Sequence, residues 1–263
     1  MEIDSYLENT LSDLGVIFHE MVTKIQAPVV VDVGGYVAWR YQNLSDSLAC
    51  FLKGVKIVST LNASMVLLRH GYAQEIGALC RMIEDYCNEI FFLLLPQDGE
   101  NFTKEQILFL EDFFKEEFDK PTNPLGSTQK RSNVPIRKIH ATFGKIAKTE
   151  INPSDAQELL RTTHQAFSGY VHGAYPHIME MFGTAHPHLN GMLGTPRVDE
   201  WRGQLIGYVY KALMVSVFIV RKLGLNDTET KARALLEKFE MDTGCKSAKS
   251  AAELVKVMKN KTS

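Results

Sequence analysis

With 263 residues, 45% of them hydrophobic and 23% charged, the chain has the length and composition of a folded globular protein, which excludes disordered and collagen-like classes. A formal charge of −2 gives no global argument for nucleic acid. Charge is nevertheless uneven: Lys130, Arg131, Arg137, Lys138, Lys145 and Lys148 share one segment without an acid, while Glu105, Glu111, Asp112, Glu116, Glu117 and Asp119 crowd another. Adjacent helices of opposite charge that solvate and pair are the plain expectation, and an electrostatic footprint for an anion is the alternative.

The first helix carries Ile3, Leu7, Leu14, Ile17, Phe18, Met21 and Ile25 on one face and ends before Pro28, because the residue preceding proline is pushed out of the α region. Residues 29–37, VVVDVGGYV, are β-branched and broken by glycine, which predicts an extended connector, with a short strand as the alternative. A second helix is expected from about Trp39 to Leu61, or further if Asn62–Ser64 does not interrupt it. The third is the clearest: Ile76, Cys80, Ile83, Cys87, Ile90 and Leu94 form an apolar stripe that stops at Pro96 and Asp98-Gly99.

A fourth helix, about Lys104 to Phe118, opens with Thr103 and Gln106, the spacing at which each side chain satisfies the other's backbone donor. Residues 120–135 hold three prolines and read as a loop that is the best candidate for a lid or an internal boundary. Helices follow at about 136–148 and, capped by Ser154 after Pro153, at about 155–182. A second irregular loop, 183–197, precedes a long helix from about Val198 to Leu223, and shorter helices at about 227–241 and 247–260 complete the chain. The fold class is therefore all-α, an up-and-down bundle of four or five long helices with short C-terminal helices. One domain is expected, its core at about 40–224 and a helical appendage at about 225–263.

Cys50, Cys80, Cys87 and Cys245 lack CxxC spacing, and three lie in apolar helical patterns, so buried free thiols are expected. The opening MEIDSYLENT is acidic where a signal peptide is basic, and no run approaches the ~20 apolar residues of a membrane span. The expectation is a cytoplasmic protein that does not engage a membrane.

Chemistry concentrates in residues 159–178, LLRTTHQAFSGYVHGAYPHI, where helical spacing aligns Arg161, Gln165, Ser168, His172 and Tyr175. Gly169 and Gly173 permit close approach of a backbone or ligand, and Pro176 predicts a kink that frees the carbonyl of His172. His172 has the unperturbed pKa nearest neutrality here, which makes it the natural acid or base. On the third helix a polar line of His70, Gln74, Arg81, Asp85 and Asn88 opposes the apolar stripe, with Arg81 and Asp85 at ion-pair spacing. For both stripes the structural alternative is polar groups satisfied between helices. His164, His172, His177, His186 and His188 fall close together but lack HExxH or a supporting carboxylate spacing, so no metal and no cofactor are expected.

Arg81-Met-Ile-Glu-Asp85 and Ser168-Gly-Tyr-Val-His172-Gly together resemble a group of uncharacterised bacterial helical-bundle proteins distantly similar to HEPN domains, over about residues 40–224. The resemblance implies a helical fold, RNA or a nucleotide as partner, a homodimer, and metal-independent endoribonuclease activity of a defence or toxin–antitoxin type. It implies His172 as base, Arg81 or Arg161 steadying the phosphate, Asp85 beside Arg81, and Ser168 and Tyr175 in support. The sequence departs from the Arg-x4–6-His motif of active HEPN nucleases: Arg161 is eleven residues before His172. The expected function is RNA or nucleotide binding with RNA cleavage, and the alternative is a non-catalytic protein-interaction or small-molecule-sensing bundle.

Overall fold

The computed structural model describes residues 2–94, 101–130, 134–146, 152–183 and 185–245. Among them are nine α-helices and one two-stranded sheet, so the chain is predominantly all-α. At the centre is α3, Ala73–Leu94, whose stripe Ile76, Cys80, Ile83, Cys87 and Ile90 is buried. It packs against α2, Asp46–Arg69, and α8, Pro196–Lys222. Helix α1, Ile3–Val22, buries Leu7, Leu11, Leu14 and Met21 and packs on α2, α8 and α9, Asn226–Thr243.

The expected connector after α1 is instead a hairpin. Strands β1, Val29–Asp32, and β2, Val37–Arg40, pair antiparallel with Val30 opposite Trp39. Gly34 and Gly35 take positive φ at the turn, and the Asp32 carboxylate accepts from Gly35 N at 2.8 Å. The hairpin claims Trp39, so α2 starts later than expected, where the Ser45 hydroxyl accepts from Leu48 N. Asn62–Ser64 does not interrupt it, because Asn62 and Ser64 donate back to the carbonyls of Val58 and Thr60 within the helix.

Helix α4, Lys104–Phe114, begins with the expected Thr103/Gln106 box and ends before Phe118, the backbone turning extended at Lys115. Gln106 Nε2 donates to Phe92 O at 2.7 Å and fastens α4 to the end of α3. Helix α5 is Ile136–Ile146, and α6 is Pro153–His172. The N-terminal cap of α6 is Asn152, which accepts from Ser154 N, and Pro153 takes the first helical position, where its missing N–H has no cost. The expected continuous helix to 182 is two helices: Gly173 adopts the left-handed conformation at φ 60°, ends α6, and Tyr175–Met179 forms the short α7. Pro176 therefore sits in the first turn of α7 and kinks nothing. The expected helix at 247–260 lies outside the described residues.

Sequence reading found no run approaching a membrane span, yet α2 and α8 are long and apolar enough to cross a membrane by length and composition. The two pack on each other inside the bundle, where 50% of the apolar window of α2 and 61% of that of α8 is buried. Cys50, Cys80 and Cys87 are buried, and burial pushes the thiols of Cys50 and Cys87 up to about 12. Where the basic and acidic segments meet, charges pair: Lys138 Nζ lies 2.6 Å from Glu105.

Candidate functional site

The polar face of α3 opens into a cavity of about 340 Å³ walled by α2, α4, α5 and α6. Arg81, Asp85 and Glu89 project from α3 at successive turns, Lys53 enters from α2, and His164 from α6. Phe109 and Phe113 of α4 supply the apolar wall. Arg81 pairs with Asp85 and contacts His164 Nε2. Since a guanidinium only donates, His164 can accept from it only with Nε2 unprotonated. Burial, then the Arg81 charge, holds the His164 imidazole below its ordinary pKa, with Asp85 opposing.

Lys53 is 7% exposed, and its ammonium lies 2.6 Å from Glu89 and 4.5 Å from the centroid of the Phe113 ring. Burial raises the pKa of Glu89 although Lys53 opposes the shift. Behind His164 stands His140 of α5, 3% exposed, with ring centroids 5.7 Å apart. Nε2 of His140 is buried without a hydrogen-bond partner among the described residues. Burial first, then His164, lowers its pKa. Two imidazoles with lowered pKa and a guanidinium thus converge between α3, α5 and α6.

The residues expected to form one site separate into two groups. Arg81 and Asp85 meet in the cavity. His172 does not line it: it is the exposed last residue of α6, two turns or about 12 Å along the axis from His164. Arg161 lies on the exposed surface, donating to Glu158 at 2.6 Å and Gln165 at 3.2 Å. Ser168 is half-buried, and Tyr175 opens α7 with 76% of its surface exposed. Gly169 does serve close approach, but to this chain: a Cβ there would run into the imidazole of His177, whose Nε2 donates to Ala166 O at 3.0 Å. On α3's polar line Asn88 is buried and Gln74 donates to Glu180 at 3.1 Å, whereas His70 caps the end of α2.

Sequence reasoning missed Lys53, Glu89, His140 and the place of His164 beside Arg81. One signal was present: Leu160, His164, Phe167 and Val171 recur at helical spacing, so His164 interrupts an apolar line. Among the described residues no three metal-ligating side chains converge. Comparison with protein-family models, with curated proteins and with solved structures gave no match.

Proposed function

We propose that the chain is a HEPN-like protein that binds RNA or a nucleotide in the α3–α6 cavity and cleaves RNA without a metal, with Arg81 and His164 as the reacting pair. The observation that carries the reading is the contact of a guanidinium with Nε2 of a half-buried histidine of lowered pKa in an open cavity. A phosphate that draws Arg81 to itself releases that lone pair. His164 Nε2 then takes the proton of a ribose 2′-hydroxyl, and the 2′-oxygen attacks phosphorus while Arg81 holds the charge gathering on the phosphoryl oxygens. The 5′-oxygen leaves and takes a proton from water, giving a 2′,3′-cyclic phosphate and a 5′-hydroxyl. The role expected of His172 passes to His164 in this reading.

The test is cleavage of single-stranded RNA in EDTA by wild type, His164→Ala, Arg81→Lys and His172→Ala, each with a melting curve. The reading expects loss of at least a hundredfold in His164→Ala at retained stability, and near wild-type rates in His172→Ala. Wild-type protein that neither binds nor cleaves RNA overturns it.

A second reading, a non-catalytic interaction protein, is favoured by one observation: Val171, Tyr175, Ile178 and Met179 are exposed together at the end of α6 and on α7. It expects self-association or partner binding to be lost in Tyr175→Asp while the cavity variants have no effect.

A further inference from the structure

Apart from the α3–α6 cavity, a second cavity of about 200 Å³ lies between α6, α7 and α8. Its walls are rings: Phe167 and Tyr170 from α6, His177 from α7 and Trp201 from α8. Trp201 is 4% exposed, and the rings of Tyr170 and Phe167 cross it at 77° and 60° with centroids 5.3 and 6.0 Å away. His177 stands against Tyr170 at 4.3 Å.

The charges beside the rings point to the occupant. Arg197 and Glu200 line the cavity, and the guanidinium of Arg197 is held 2.6 Å from Glu200 and 3.5 Å from Glu180. Glu180 also accepts from the Tyr170 hydroxyl at 3.0 Å and from Gln74. Two carboxylates against one guanidinium leave a surplus negative charge beside aromatic walls, whose π faces are themselves negative. An anion would meet an arginine already claimed twice. A primary ammonium keeps its hydration shell and needs three acceptors, which rings do not offer; an alkylated ammonium has no such need. The volume lies below the roughly 300–1,000 Å³ of sites for drug-sized molecules, so a compact head group fits.

We propose that this cavity binds an alkylated ammonium group, of the trimethylammonium or methylated-lysine kind, between Phe167, Tyr170 and Trp201, with Glu200 as its counter-charge. The buried Tyr170 phenol, raised in pKa by burial and then by Glu180, stays neutral and so keeps its role as a wall. The site is independent of the RNA reading.

The test uses the full chain carrying Trp39→Phe, which leaves Trp201 as its one tryptophan. Its emission is titrated with choline, with the neutral isostere 3,3-dimethyl-1-butanol, and with acetate. A saturable response to choline, roughly tenfold tighter than to the isostere and weakened about threefold in Glu200→Gln, is expected. Equal binding of isostere and choline, binding of acetate in place of choline, or no saturable response to millimolar choline each overturns the proposal.

Discussion

Ile76, Cys80, Ile83, Cys87 and Ile90 run down one face of α3 fully inside the core, whereas Arg81, Asp85 and Glu89, on the same turns, open onto a cavity. The first face is held by area removed from water, at about 25 cal/mol per Å². The second keeps its charges only by pairing them, Lys53 with Glu89 and Arg81 with Asp85, because each pair has given up much of its hydration. One helix thus carries two kinds of burial, an apolar stripe and a line of paired charges.

The contrast is broken most severely on the apolar side: Ile83→Ala leaves a void in the centre of the core and lowers the stability measured by urea unfolding by about 4 kcal/mol. On the polar side Lys53→Met strands Glu89 in a half-dry cavity and costs about 3 kcal/mol, and the double variant Lys53→Met/Glu89→Gln recovers more than half of that, which a purely apolar position cannot do. A small cavity-side effect is the cap of α4: Thr103→Ala costs about 1 kcal/mol in the same assay.

Acid reads the two faces apart with the smallest effect of all near neutrality. His140 and His164 have folded pKa values below the unfolded value of about 6.5, so the stability they permit is complete above that pH and falls as pH drops through the window beneath it. Glu89 runs the opposite way: raised by burial, it takes its proton first in the folded state and offsets part of the loss. Thermal melts between pH 7 and 5 are therefore expected to flatten in His140→Gln/His164→Gln and to steepen in Glu89→Gln. An unchanged slope in both variants sinks the argument that burial sets the pKa of these groups.

The apolar side of α3 was readable from the chain because a stripe at helical spacing is a local property, as was the Thr103/Gln106 box. The hairpin was half readable: VVVDVGGYV announced extended backbone, but pairing depends on Trp39, which also fits a helical pattern, coming opposite Val30. The end of α6 was missed because Gly173 does not say from sequence whether it is tolerated within a helix or takes the left-handed cap. The pairing of Arg81 with Asp85 was readable from their own spacing. His164 was passed over for His172 because only the packing of α6 on α3 decides which histidine meets Arg81, and one chain without its neighbours carries no record of that register.

The packing of α1 on α9 has a consequence for how the chain is made. Tyr6 donates to Asp242 and Lys231 reaches Glu20, contacts that join residues as far as 236 positions apart. At about 5–20 residues per second, α1 leaves the ribosome roughly 10–50 seconds before its partner exists. Through that interval Tyr6 lacks the Phe239 ring that it stacks on in the folded protein, 5.8 Å between centroids, so this part of α1 waits for the end of synthesis to be covered.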